Sequence, residues 1–207
     1  MVKDNTTENQ ILNAARKVFL TKGLAAARMQ EIADEAGINK ALLHYYFRSK
    51  EKLFDRIFSE VIEKIAAGLQ SIFKREMVLL DRLHAIVDVY IDVLLENRYL
   101  PLFVLNELNH HPERFSVLVK KHIAKHLRKF LTEIQQEVDA GKINPIHPLH
   151  LLLNVLGLII FPFATIPFVS RISDKQYRPI FDTILQERKQ VVKQFIEDAI
   201  TPKSQII

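Results

Sequence analysis

Two lysines, a histidine and a tyrosine lie close together near the N-terminus, at Lys40, His44, Tyr45 and Lys50. No packing requirement accounts for four such side chains clustering on an outward face. Lysine binds phosphate oxygens, while imidazole and phenol groups hydrogen-bond to the polar edges of bases. The residue types therefore point to contact with a nucleic acid.

Two short helices joined by a tight turn are predicted to position this cluster. In the first, Met29, Ile32, Ala33 and Ala36 recur at helical spacing and give the helix one apolar side. Gly37 follows directly, and a glycine just past the last turn accepts the left-handed backbone that a sharp helix exit needs.

The second helix is predicted to begin near Lys40, with the side-chain oxygen of Asn39 as its N-cap. Leu43 and either Tyr46 or Phe47 would face inward. The outward face then contains Lys40, Ala41, His44 and Tyr45. A polar face of this size fits a major groove, so the segment is predicted to be a helix-turn-helix whose second helix reads DNA.

A third and longer helix is predicted to begin after Ser49, a good N-cap residue. Its first-turn amides and Lys50 would form an anion site with phosphate as the expected occupant. Through Lys50 the chain has eight basic and five acidic residues, so most of its net charge of +5 lies in the first quarter. This distribution fits a footprint on duplex DNA.

The run GINKALLHYYFRSKEKLF resembles the tetracycline repressor (TetR) family of bacterial transcriptional regulators. Upstream, Gly23 and the step Glu31-Ile32-Ala33 also stand where the family has them. The resemblance implies a homodimer with a DNA-binding head and a helical effector-binding body. The residues that fit the pattern directly are Gly37, Lys40, Leu43, Tyr45, Phe47, Ser49, Lys50 and Glu51.

Three positions depart from the family pattern. His44 replaces a tyrosine that faces a phosphate, so this contact is expected to be pH-sensitive, because imidazole titrates near neutrality. Leu42 replaces a small hydroxyl residue, so one phosphate contact is expected to be missing. Ala27-Arg28 replaces the Thr or Ser that opens the first helix, which weakens the cap but lets Arg28 approach a phosphate. The expected DNA-binding residues are Arg28, Gln30, Asn39, Lys40, Ala41, His44, Tyr45 and Lys50.

The composition predicts a soluble, all-α protein. With 207 residues, 48% hydrophobic and 26% charged, the chain is typical of a folded domain, and five glycines and eight prolines leave few turns. The absence of cysteine excludes disulfides and is compatible with a reducing cytoplasm. Residues 1–10 are polar and show no cleavable signal, so a cytoplasmic location is expected.

Apolar periodicity predicts about nine helices in two domains, a helix-turn-helix domain at 1–48 and an effector-binding and dimerisation domain at 49–207. The helix from Lys50 to Phe73 would be a rod of roughly 36 Å, and the resemblance makes it the lever that transmits ligand binding. The other helices are predicted at 5–22, 79–96, 101–110, 112–139, 149–169 and 174–199.

The segment from Leu149 to Val169 is nearly all apolar and long enough to raise the question of a membrane. Pro162 and Pro167 are expected to break its helix, and His150 would lie in hydrocarbon. No membrane association is therefore expected. Burial against a second subunit is preferred, through the helices near 148–168 and 174–199 of each chain.

Neither a metal site nor an enzyme is predicted. His122 and His126 are four residues apart and Glu107-x-x-His110 has a di-iron spacing, but no second such unit exists. Phosphate loops and nucleophile elbows are also absent, so no cofactor is expected. One alternative stays open: a helical small-molecule carrier or metal-dependent enzyme whose head no longer binds DNA.

The resemblance also implies a small-molecule pocket between the rod and the helices from 79 to 139. The candidate ligand-binding residues are Tyr90, Phe103, Asn106, His126 and Phe130. Because this lining supplies few charges, an apolar or aromatic effector is expected. The overall prediction is a repressor that leaves a palindromic operator when the effector binds.

Overall fold

A computed structural model of the protein describes residues 5–98, 100–102, 104–105, 113, 120 and 123–202. Within these ranges the chain forms eight α-helices and one 3-10 turn, without any strand, which confirms the all-α prediction. The elements are α1 (Asn5–Ala26), α2 (Met29–Glu35), α3 (Lys40–Tyr46), α4 (Lys50–Phe73), α5 (Leu79–Glu96), α6 (Ala124–Asp139), α7 (Pro148–Ile172), the 3-10 turn Lys175–Tyr177 and α8 (Arg178–Ile200).

Helices α1 to α3 form a small head that packs on the first turns of α4. The backbone of α1 breaks at Gly23, where φ is 75° and ψ is 165°, so its main segment ends where the sequence predicted. Phe19 of α1 meets Phe54 of α4 with ring centroids 5.3 Å apart. Both rings are almost fully buried, so the core of the head extends into α4.

Helix α4 has the predicted bounds and belongs to two parts of the protein at once. Its apolar stripe is buried from Leu53 near the head to Ile72 at its last turn. One continuous cluster of buried side chains includes this stripe together with residues of α1, α5, α6, α7 and α8. The core of α4 is therefore continuous with that of the head and with that of the body.

The prediction that Pro162 and Pro167 break the helix was wrong, because α7 continues from Pro148 to Ile172. Proline at position 162 has no N–H, so the carbonyl of Leu158 one turn earlier loses its helical donor. Arg188 of α8 replaces that donor, with its Nε 3.0 Å from the Leu158 oxygen. Burial in this position lowers the pKa of the Arg188 guanidinium.

Helices α7 and α8 expose a wide apolar surface. In the described ranges, Pro148–Ile166 is the one helical stretch long and apolar enough to cross a membrane, and only 28% of it is buried within the chain. An apolar surface of this extent on a helix pair is typical of an interaction site. The exposed residues are Leu149, Leu153, Phe161, Phe168 and Ile172 on α7, and Ile180, Ile184, Val191 and Phe195 on α8.

Candidate nucleic-acid interface and effector region

The turn between α2 and α3 is built by local hydrogen bonds. Gly37 has a φ of 66°, and its N–H donates to the Asp34 carbonyl at 3.1 Å, while the N–H of Ile38 donates to the Ala33 carbonyl at 3.0 Å. This pair of bonds satisfies the last carbonyls of α2. Asn39 Oδ1 then accepts the N–H of Leu42 at 2.8 Å, as predicted for an N-cap.

The faces of α3 are oriented as predicted. Leu43 is fully buried and Phe47, just after the helix, is 8% exposed, so they anchor α3 on the head. The side chains of Lys40, Ala41, His44 and Tyr45 are all exposed. We call these four residues the reading face. Leu42 borders it with 36% of its surface exposed, so an apolar group adjoins the polar ones.

His44 is exposed, and one of its ring nitrogens makes a hydrogen bond within the chain. Its Nδ1 lies 3.2 Å from the carbonyl oxygen of Arg48. A carbonyl oxygen can only accept, so Nδ1 carries the proton in this hydrogen bond. In the neutral ring Nε2 is then an acceptor, and it becomes a donor only when the ring is protonated. The side chain can therefore donate to a phosphate only in its cationic form.

The start of α2 confirms the expectation of a weak cap. The side chain of Arg28, the N-cap residue, makes no capping hydrogen bond. Instead the Glu31 carboxylate accepts the Arg28 backbone N–H at 3.2 Å and the Lys22 Nζ at 2.9 Å. The bond from Lys22 is the main cause that holds the pKa of Glu31 below its ordinary value. Gln30, also expected to contact DNA, is exposed and donates to Asp34 Oδ1 at 2.8 Å.

Lys50 requires a correction, because its ammonium group is already occupied. Nζ donates to the carbonyls of Leu24, Ala25 and Ala27 at 2.9, 2.8 and 3.2 Å. An ammonium group has three N–H donors, so these acceptors use all of them. Leu24 and Ala25 lie in the last turn of α1 and Ala27 just beyond it, where the helix dipole also favours a cation. Lys50 therefore joins α1 to α4 and is not a free phosphate ligand in this structure.

The predicted anion site at the start of α4 is also filled by the protein itself. Ser49 Oγ accepts the N–H of Lys52 at 3.2 Å, which confirms the N-cap. The carboxylate of Glu51 lies at the same first turn, and hydrogen bonds from its own backbone N–H and from Ser49 lower its pKa. A phosphate would have to compete with this carboxylate, so the site is less favourable than expected.

In the body, the structure brings together two of the five candidate ligand residues. His126 of α6 stacks on Phe73, the last residue of α4, with centroids 5.3 Å apart and planes 12° apart. Phe130 meets the same ring edge-on at 5.6 Å and is only 2% exposed. Burial raises the pKa of Tyr90 on α5 to about 12. The other candidates, Phe103 and Asn106, lie outside the described residues.

Metal binding receives no support from the described ranges, which contain no group of three or more metal-ligating side chains. His122, Glu107 and His110, considered above for their spacing, lie outside these ranges. His126 is engaged with the Phe73 ring. The residue that sequence reasoning missed is Arg82, a cation on the buried side of α5 with 8% of its surface exposed.

Comparisons with known proteins agree with this geometry. Residues 11–57, which span the head and the start of α4, match the family described as bacterial regulatory proteins, tetR family. The transcriptional activator FasR of Mycolicibacterium smegmatis is 34% identical over 83 residues, which is 40% of this chain and only 38% of FasR. The transcriptional regulator RutR of Escherichia coli strain K12 is 30% identical over 154 residues, which is 70% of this chain and 68% of RutR.

Among solved structures, the ketosteroid transcriptional regulator KstR2 of Mycobacterium tuberculosis has the same fold. Its TM-score is 0.70 at 18% identity, and the alignment covers 97% of this chain and 98% of KstR2. At this identity the similarity concerns the fold alone. The sequence similarity to RutR extends over two thirds of that protein, and the head has the expected reading face. The chain therefore belongs to the tetR family of bacterial regulatory proteins, and it is a DNA-binding transcriptional regulator.

Proposed function

We propose that the protein is a repressor that binds a palindromic operator as a homodimer and leaves it when a small apolar or aromatic effector binds. The observation that carries this proposal is the position of α4, whose buried stripe belongs to the core of the head and to that of the body. A ligand that displaces α4 from within the body would also displace the reading face. The domain division at residue 48 then separates a reading unit from a sensing unit.

DNA contact would be made by the reading face together with Arg28 and Gln30, which are exposed at the start of α2. The exposed ammonium group of Lys40 would bind a phosphate, and Tyr45, with 54% of its surface exposed, would reach the groove. Asn39 contributes by capping α3. Lys50 contributes by holding α1 against α4, so that the reading face keeps its orientation on the body.

The exposed apolar surface of α7 and α8 supports dimerisation. Two such helix pairs would cover one another in a four-helix interface, an arrangement that two-fold symmetry makes self-complementary. The same symmetry would present two reading faces to one duplex. They would have to lie about 34 to 36 Å apart to enter successive major grooves. This requirement makes DNA affinity sensitive to small tilts of α4.

The effector would bind in the body, between α4, α5 and α6. The apolar stripe of α4 and the partly buried ring of Tyr90 favour an apolar or aromatic compound with few charges. Binding there would weaken operator affinity by a coupling free energy on the order of 1 to 3 kcal/mol. No catalytic role is part of this proposal.

The experiment that tests the proposal is selection of duplexes by the purified protein from a random-sequence pool. The expected result is a two-fold symmetric site, bound far more tightly than a scrambled duplex and with a steep dependence on salt. If the protein recovers no preferred sequence from the pool, its proposed role as an operator-binding repressor is excluded. That result would revive the alternative of a small-molecule carrier with a head that does not bind DNA.

A further inference from the structure

Arg82 of α5 caps the end of α4 that lies away from the DNA head. Its Nη1 donates to the carbonyl of Ile72 at 3.1 Å, and its Nη2 donates to the carbonyl of Met77 at 3.3 Å. Nη1 also lies 3.5 Å from the carbonyl of Arg75. These acceptors belong to the last turn of α4 and to the loop that follows it. A cation bound to them stabilises the C-terminus of α4.

The same guanidinium binds α6. Its Nε donates to Glu133 Oε1 at 3.0 Å, and the side chains of Arg82 and Glu133 are only 9% and 24% exposed. A charge buried to this extent is unfavourable unless it is paired and hydrogen-bonded, so each group fixes the position of the other. One side chain thus binds the end of α4 and the middle of α6 at the same time.

Aromatic contacts strengthen this junction. His126, Phe130 and Glu133 follow one another at helical spacing and lie on the face of α6 that meets the end of α4. Phe73, which stacks with His126, also lies under Arg82, with the guanidinium carbon 5.6 Å from the ring centroid. The position of α6 is therefore tied to that of α4 through charge, hydrogen bonds and ring packing.

We propose that Arg82 is a positioning residue for DNA binding, through which a displacement of α6 changes the orientation of α4 and hence of the reading face. The inference rests on the proposed function, because it names the regulation of the effector site. The intact junction fixes the direction in which α4 leaves the body. Loosening it lowers operator affinity, because the two reading faces then no longer hold the separation that successive grooves require.

The variant that tests this is Glu133→Gln, which keeps the volume of the side chain and an acceptor oxygen for Nε while it removes the charge. The matched control is Glu96→Gln. Glu96 of α5 binds Lys64 of α4 at 2.5 Å, but both side chains are more than half exposed, and exposed pairs contribute little. The probe is a duplex selected from a random-sequence pool by the full-length wild-type protein.

We expect Glu133→Gln to bind the selected duplex about fivefold more weakly than the wild type, at the lower end of typical coupling between sites. Glu96→Gln should bind as the wild type does. Arg82→Lys, which keeps the charge but loses the planar fork, should weaken binding in the same direction as Glu133→Gln. If both variants are folded and bind the duplex as the wild type does, the inference is wrong.

Hydrogen exchange supplies a readout that a merely structural residue would not change. Because coupling between sites is reciprocal, adding the selected duplex should slow amide exchange in residues 124–139 of the wild type. In Glu133→Gln this slowing should be lost. Selective DNA binding without any change of exchange in α6 would overturn the inference and leave the proposed function intact. Failure of the wild type to select a duplex would overturn both.

Discussion

Each end of α4 is held by a cation that donates to backbone carbonyls, but the two cations differ in what else they bind. At the start, Lys50 donates to three carbonyls at the end of α1 and has no carboxylate partner among its hydrogen bonds. At the other end, Arg82 donates to carbonyls of α4 and the following loop and to the carboxylate of Glu133 on α6. We call these two sets of contacts the joints of α4. The Lys50 joint involves only the head and α4, whereas the Arg82 joint also includes α6.

This difference indicates where the protein is rigid and where it can respond. Displacing Lys50 would leave the carbonyls of Leu24, Ala25 and Ala27 without this donor, which opposes movement of the head relative to the start of α4. Displacing α6 would remove only the carboxylate partner of Arg82 and leave its hydrogen bonds to the carbonyls at the end of α4 in place. In the proposed regulation, a shift of α6 changes the contacts of Arg82 at one end of α4. The contacts of Lys50 at the other end carry the resulting movement of α4 to the head.

The largest predicted effect concerns the burial of the Tyr90 hydroxyl in the body and is tested with Tyr90→Phe. Burial raises the pKa of Tyr90 to about 12, so the folded protein keeps this proton where the unfolded chain releases it, above about pH 10. The contribution of this burial to the free energy of unfolding is therefore fully present below pH 10 and is lost as the pH rises through 12, by up to about 3 kcal/mol because Tyr90 is only partly buried. Denaturant unfolding at several pH values should show this loss in the wild type and not in Tyr90→Phe. Parallel curves for the two proteins would mean that Tyr90 is accessible to water.

The next effect concerns the middle of α4, between its two held ends. A Cβ added at Gly68 would lie 2.7 Å from Cγ1 of Val89 on α5, closer than any ordinary contact. Because valine has little rotamer freedom, we expect Gly68→Ala to destabilise the protein by about 1 to 3 kcal/mol. The midpoint temperature of thermal unfolding and the affinity for the selected duplex should both decrease.

The matched control for this contact is the double variant Gly68→Ala, Val89→Ala. Removing the two methyl groups of Val89 relieves the clash, so the double variant should be more stable than Val89→Ala alone, since alanine is favoured over glycine in a helix. If Gly68→Ala is instead neutral in the wild-type background, then α4 and α5 separate easily. The description of α4 as a rigid lever between Lys50 and Arg82 would then be wrong.

A smaller effect is predicted for the joint at Lys50, and it separates a positioning role from a phosphate contact. Lys50→Met should weaken binding of the selected duplex by about tenfold, as expected for the loss of hydrogen bonds worth about 1.4 kcal/mol. The slope of log affinity against log salt should stay unchanged, because no phosphate contact is lost. In Lys40→Met the slope should instead flatten by about 0.9 for each lost contact. A flatter slope in Lys50→Met would show that the ammonium group leaves its carbonyls when DNA binds.

The two joints also show which features a sequence can predict. Gly37 and Asn39 act on neighbours within a few residues, so the turn, the cap and the start of α3 were all predictable. The acceptors of Lys50 lie 23 to 26 residues earlier, in the last turn of α1 and just beyond it. A pattern of apolar spacing likewise cannot show that Arg82 is buried and paired, since its partner Glu133 is 51 residues away.

The continuity of α7 was unpredictable for a similar reason. Proline inside a helix is disfavoured, and the sequence around Pro162 contains no sign of compensation. The donor that replaces its missing N–H is Arg188, which is 30 residues from Leu158 and on another helix. Features fixed by local hydrogen bonds could therefore be inferred, whereas features fixed by a distant polar side chain could not.

The smallest predicted effect belongs to His44, which lies on the reading face with one ring nitrogen already bound. With Nδ1 donating to the Arg48 carbonyl, Nε2 of the neutral ring can only accept a hydrogen bond. A tyrosine hydroxyl at this position could donate to a phosphate, so His44→Tyr should bind the selected duplex severalfold more tightly than the wild type. As a control, His84→Gln should bind the duplex as the wild type does, because His84 contacts the Lys193 carbonyl in the body at 3.3 Å. If His44→Tyr binds no more tightly, the position does not face a phosphate, and the reading face would use His44 for packing against the turn that leads into α4.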